Sequence, residues 1–296
     1  MRNLLPVDLP GDSAINRYDG ISAAKQLDKR SSLAALRAPV SLRYEDYARR
    51  VPGLEALPAS PFTSEQGQML RHCYEVETEP LSKLKVEILE QQPGVWQATC
   101  AYCGINFPAT VEHYLPKSEF PEYSVCSYNL LPACAECNGI KGSKWCDLSG
   151  RKLIHFYYDP IPEGVRWLHA RVRMKEGVSS MEFWLEQPAG LDGVFFRLVQ
   201  QHYDALKLLQ RYSRCAVKLL AGATTTASRL GRTAGPVLAS GQLPRVFKDM
   251  AEERAESHGH NYWEVAAFLG MAESPMFLDT LVSRAPSPER APTKVA

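Results

Sequence analysis

The chain has 296 residues, 45% hydrophobic and 23% charged, with 34 Lys and Arg against 33 Asp and Glu for a formal net charge of +1. This composition is that of a soluble globular protein with a sizeable core, and it excludes disordered, fibrous and small disulfide-framework classes. No stretch approaches the roughly 20 apolar residues of a membrane span, and the first dozen residues lack the basic and apolar blocks of a secretory signal, so a cytoplasmic location is expected.

Residues 1–94 read as an N-terminal helical region. Turn signals at Leu9-Pro10-Gly11, Val51-Pro52-Gly53, Pro58 and Pro61 surround short helical stretches such as 23–36. Thr63 or Ser64 can then cap a helix running through Met69, Leu70, Cys73 and Val76, and a second helix over 81–89 starts just behind Pro80, where proline is tolerated. Beyond residue 152, the segments 165–174 and 181–187 interleave β-branched and aromatic residues with polar ones around a turn containing Gly177, which predicts a β-hairpin. From Gly193 to Leu220 apolar residues recur at spacings of three and four, predicting one amphipathic helix ended by Gly222. Lys207, Arg211, Arg214 and Lys218 fall on a single stripe of that helix, either a solvated face or a track for nucleic-acid phosphates. Residues 205–254 carry nine basic residues against three acidic, so the near-neutral chain hides one basic segment. Helices are also expected over 245–255 and 262–269, and residues 285–296 form a flexible tail. There is no internal repeat and no G-x-x-x-x-G-K-[ST] phosphate loop.

The eight cysteines sharpen the reading. Cys100 and Cys103 form one C-x2-C pair and Cys134 and Cys137 another, whereas Cys73, Cys126, Cys146 and Cys215 read as small hydrophobes. Four thiolates close a tetrahedral zinc site and leave no position for a substrate, so the expected Zn2+ is structural; unliganded thiols or another metal are the alternatives. Such an ion contributes about 10–16 kcal/mol to zinc peptides, enough to hold a loop-rich segment together.

Inside this frame lie groups of a different kind: Glu112, His113, Asn129, Asn138 and Lys141. A carboxylate and an amide oxygen suit a hard cation such as Mg2+ or Mn2+, and a neutral imidazole beside them can take a proton from water. Together they are the groups needed to hydrolyse a phosphodiester.

The stretch Cys100–Trp145 resembles the HNH endonucleases with a ββα-metal core and a four-cysteine zinc site. The likeness rests on Val111-Glu112-His113 followed by Pro116, on Asn129-Leu130, and on C-x2-C-N-x2-K at Cys134 to Lys141, and it covers about 46 residues. It implies that His113 is the general base, that Glu112 and Asn138 hold one divalent cation, that Asn129 fixes the loop aiming His113, and that Lys141, with Lys144, contacts phosphates. Many members carry Asp where Glu112 stands, so the extra methylene must be absorbed locally. His155 and Asp159 are candidate outer helpers. The wider phrases EHYLPKS and NLLPACAECNGIKGSKW look most like the HNH nucleases of bacterial anti-phage systems of the Septu and retron-associated type, which act beside a separate ATPase; a standalone restriction-like or homing-type HNH protein is the competitor.

The expected architecture is thus α+β and mostly helical: helices over 1–94, a small ββα-metal nuclease core over 95–152 with its zinc site, then a hairpin and helices over 153–284. The expected activity is metal-dependent cleavage of DNA with a partner ATPase. A zinc-stabilised nucleic-acid-binding or interaction module without catalysis is the alternative.

Overall fold

The computed structural model describes residues 1–9, 14–234 and 236–283. The expected tail at 285–296 and the turn at Pro10-Gly11 lie outside the described residues. Among the described residues the chain is mostly helical with three small two-stranded antiparallel sheets, an α+β architecture. In order it forms α1 (Ala14–Ala23), α2 (Leu27–Arg50), α3 (Ser64–Glu75), α4 (Glu79–Glu90), α5 (Gly94–Ala98), β1 (Thr110–His113), β2 (Leu130–Ala133), α6 (Ala135–Lys141), β3 (Cys146–Asp147), β4 (Gly150–Arg151), β5 (Leu168–Lys175), β6 (Val178–Leu185), α7 (Gly193–Ala205), α8 (Leu208–Ala234), α9 (Pro236–His258), α10 (Trp263–Ala272) and α11 (Pro275–Ser283). No single described helix is long and apolar enough to cross a membrane.

The chain groups into two units. One comprises Arg2–Ile161 with Arg197–Leu206. Its α3 begins as the sequence predicts: the Thr63 hydroxyl accepts from the Gln66 N–H while the Gln66 side chain accepts from the Thr63 N–H, satisfying two donors that a helix start leaves unpaired. Pro80 sits in the first turn of α4, where its missing N–H costs nothing. Leu70 from α3 and Leu81, Leu84 and Ile88 from α4 are buried. Helix α2 is pinned by a buried ion pair, Arg43 Nε to Glu122 Oε1 at 2.8 Å, with the second Glu122 oxygen accepting from Ser60 at 2.7 Å. Breaking one side of such a pair costs about 3–5 kcal/mol.

The other unit contains residue 1, Pro162–Phe196 and the described residues from Lys207 to Ser283. Strands β5 and β6 form the predicted hairpin, turning through Glu176 (φ 51°) and Gly177 (φ 77°), the two left-handed residues of a type I′ turn. Helix α10 lies against β5 so closely that a Cβ on Gly270 would sit 2.5 Å from the Ala170 carbonyl oxygen, so only glycine fits there. Asn261 ties down the strand entry, accepting from the Trp167 and Leu168 N–H groups and donating to the Val165 carbonyl.

One expected element is corrected. The single helix over 193–220 is broken: α7 ends at Ala205, Lys207 turns left-handed (φ 54°), and α8 runs through Gly222 to Ala234. Leu206 and Leu208 are both fully buried, yet two residues apart on a continuous helix they would point to nearly opposite sides. The break lets both be buried.

Candidate functional site

The site is built on two four-residue strands and one short helix. β1 and β2 pair antiparallel with Thr110 opposite Ala133 and His113 opposite Leu130, and α6 follows directly. Cys134 caps α6, its sulfur accepting from the Cys137 N–H at 3.4 Å.

The four cysteines of the two C-x2-C pairs converge. Their sulfurs all lie within 4.8 Å of one another, and all four residues are buried. Cys103 Sγ and Cys134 Sγ stand 3.8 Å apart. That is the edge of a tetrahedron whose centre lies about 2.3 Å from each sulfur, the Zn–S bond length. Backbone donors support thiolates here: Ile105 N–H to Cys103 Sγ at 3.4 Å and Cys134 N–H to Cys100 Sγ at 3.3 Å. Gly104, at φ 67°, lets the first pair turn tightly enough to aim the Ile105 N–H at sulfur. Hydrogen bonding with Cys100 holds the Cys103 and Cys134 thiols below the usual thiol range, and hydrogen bonding within the cluster pushes Cys100 and Cys137 above it. A shared cation would remove this conflict by stabilising all four as thiolates. The cluster therefore fits a structural metal such as zinc.

A groove of about 640 Å³ is lined by Glu112, His113 and Asn138 together with Thr110, Tyr74, Lys85 and Lys117. His113 is 6% exposed, and its Nε2 lies 2.9 Å from the Ser124 carbonyl oxygen. A carbonyl only accepts, so Nε2 carries the ring proton and Nδ1 is the basic nitrogen. The ring meets Tyr74 edge-on, centroids 4.3 Å apart. Burial lowers the His113 pKa to about 3, with the Lys117, Lys141 and Lys85 charges acting in the same direction, so the imidazole is neutral at physiological pH. Asn129, completely buried, accepts the Leu115 N–H at 2.7 Å and donates to the Leu115 and Tyr123 carbonyls, bracing the loop that runs from His113 to Ser124. Asn138 reaches Thr110 Oγ1 through its Nδ2 at 3.2 Å.

Lys141 departs from expectation. It is 2% exposed, and its ammonium donates to Glu112 Oε1 at 2.7 Å, to the His113 carbonyl at 2.6 Å and to the Gly142 carbonyl at 3.3 Å. All three protons are used, so Lys141 does not contact phosphate; it holds the Glu112-His113 strand end in place. Burial raises the Glu112 pKa and lowers that of Lys141, and their mutual attraction opposes both shifts. Lys144 lines a second groove, of about 420 Å³, with Cys146, Asp147 and Lys152. Arg211 is buried and Lys207 stands at the helix break, so the four-residue stripe is not continuous; Arg214 and Lys218 remain exposed.

His155 and Asp159 do not line the groove. His155 is fully buried with Nε2 2.8 Å from the Tyr47 hydroxyl, and Asp159 takes a two-bond ion pair from Arg151 at 2.8 Å, both serving the core. Conversely, Tyr74 and Lys85 line the groove without any local signal in the sequence. Lys117 lay in plain view inside EHYLPKS.

No family model and no solved structure matches the chain. It is similar to protein ea31 of Escherichia phage lambda, 25% identical over 186 residues, covering 60% of this chain and 62% of that protein. A shorter similarity, 34% over 80 residues, links it to Septu protein PtuB of Bacillus thuringiensis, covering 21% of this chain and 31% of that protein. The chain thus spans less than two thirds of either relative. The similarity to a Septu protein agrees in part with the narrower resemblance drawn from EHYLPKS and NLLPACAECNGIKGSKW.

Proposed function

We propose that the chain is a metal-dependent HNH-type endonuclease that hydrolyses phosphodiester bonds in DNA. The observation that carries this reading is the His113 ring, fixed by Ser124 as a neutral imidazole with Nδ1 basic, in one groove with Glu112 and Asn138. The thiolate cluster is adjacent in sequence, since α6 supplies both Cys137 and Asn138.

The donor set fits a hard divalent cation. The Glu112 carboxylate takes Lys141 at Oε1 and a hydrogen bond from the His113 N–H and would offer a further lone pair, and Asn138 spends its amide N–H on Thr110 and leaves its carbonyl oxygen. One carboxylate and one amide oxygen, completed by water and phosphate oxygens, is how Mg2+ or Mn2+ is usually held. When bound, such an ion neutralises charge building on the phosphate and on the departing oxygen. His113 Nδ1 accepts a proton from water as the water oxygen bonds to phosphorus; the 3′ P–O bond breaks, and a proton from solvent completes the leaving hydroxyl. A nearby phosphate anion raises the affinity of the ring for that proton, offsetting the depression caused by burial and the lysines. Glu112 has a methylene more than the Asp of many HNH members, and the Lys141 anchor fixes where its carboxylate lies.

The finer setting is anti-phage defence beside a separate ATPase. It rests on the EHYLPKS phrase and on the similarity to Septu protein PtuB; the similarity to a phage lambda protein allows the same chemistry outside host defence. The test is incubation of supercoiled plasmid with purified chain. Nicking or linearisation with Mg2+ or Mn2+, reversibly stopped by mild chelation while one zinc per chain remains, supports the reading. An intact plasmid under every divalent condition removes it.

A further inference from the structure

The wall of the groove facing His113 is made by residues to which the motif assigns no role. Tyr74 comes from the end of α3, Lys85 from α4 and Lys117 from the loop after β1. The Lys85 and Lys117 ammonium nitrogens stand 4.6 and 5.5 Å from the centre of the Tyr74 ring, and the same ring touches His113. Two cations and an aromatic ring therefore stand together in the groove that His113 lines.

Each lysine rests on a carboxylate near the end of α3: Lys117 on Glu75 at 2.9 Å and Lys85 on Glu77 at 2.6 Å. These pairs differ in kind from Lys141–Glu112. The Glu75 and Glu77 side chains are about half exposed, whereas Lys141 and Glu112 are nearly inaccessible. Exposed pairs contribute little to stability, so a phosphate oxygen can replace the carboxylate at little cost; the buried pair cannot be exchanged that way. Tyr74 is held in orientation by its hydroxyl, which donates to the Val111 carbonyl at 2.7 Å.

We propose that Lys85 and Lys117 take the phosphates flanking the scissile one, with the Tyr74 ring lying against a sugar or base, and that Glu75 and Glu77 hold the two lysines until nucleic acid arrives. The proposal rests on the nuclease reading and adds to it the surface that receives the backbone. It moves the main electrostatic contact from the α8 stripe to the groove itself.

The test is binding without cleavage. With His113→Ala as background and no added divalent ion, affinity for duplex DNA, single-stranded DNA and RNA of equal length is measured across a salt series. Lys85→Ala with Lys117→Ala should weaken binding of the preferred polymer at least tenfold and reduce its salt slope by about 1.8 for duplex DNA, or about 1.4 for a single strand. Lys85→Arg with Lys117→Arg should restore most of the affinity, because charge and not shape is the requirement. An unchanged slope in the alanine pair overturns the proposal, and so does an arginine pair as weak as the alanine pair. In the chain with His113 intact, the alanine pair should raise KM while kcat is largely kept. Should the unaltered chain leave plasmid intact under every divalent condition, the nuclease reading falls, whereas the binding result continues to judge the two lysines.

Discussion

Cys137 and Asn138 are neighbours on α6, yet one belongs to a cluster of four buried sulfurs and the other to an open groove lined by oxygen and imidazole. The first site is closed: every ligand position is filled by the chain, so it can only hold structure. The second places a carboxylate, an amide and an imidazole side chain along a groove of about 640 Å³. The same small frame thus sets four soft sulfur donors beside a group of oxygen and imidazole side chains. The difference between them is which groups are fully satisfied by the protein.

That comparison can be broken most violently at the closed site. Cys134→Ser should abolish zinc retention and unfold the segment around residues 100–137, since the ion's contribution is about 10–16 kcal/mol. Metal content by mass spectrometry and thermal melting check this; a variant with native melting would mean the sulfurs do not hold the frame. Next is the anchor that links frame and groove. Lys141→Met leaves Glu112 buried and unpaired and should cost about 3–5 kcal/mol by denaturant unfolding, with Glu112→Gln in the same chain recovering part of the loss.

A smaller effect comes from protons. His155 and His202 are fully buried, and burial lowers their pKa values to about 3 and about 4. The unfolded chain takes up these protons near pH 6.5, so between about pH 6.5 and 4 it binds more protons than the native state. Their contribution is fully present above pH 6.5, and stability should decline as pH falls through that window; a flat profile there would contradict their neutral burial. The smallest effect is expected on α8, where charge reversal at Arg214 and Lys218 should flatten the salt dependence of DNA binding less than loss of Lys85 and Lys117.

Much of the frame was legible because local spacing encodes it. The two C-x2-C pairs, the Thr63 cap, the hairpin turn at Gly177 and the Glu112-His113 pair are all short-range patterns whose geometry follows from a few residues. What was not legible depends on the third dimension. Lys141 reads as a free cation in sequence and becomes an internal anchor because α6 packs on β1. The apolar spacing from Gly193 to Leu220 survives a change of direction at Lys207, because periodicity records spacing and not whether the axis is continuous. Tyr74 and Lys85 lie 28 or more positions before His113, and only the packing of α3 and α4 brings them to the groove.

The most direct test of the central claim is the DNA-cleavage rate of His113→Ala compared with the unaltered chain at equal zinc content. The account predicts a folded protein with its zinc in place and a rate lower by about 10²-fold or more, the usual contribution of a general base. Cleavage at the unaltered rate would contradict it.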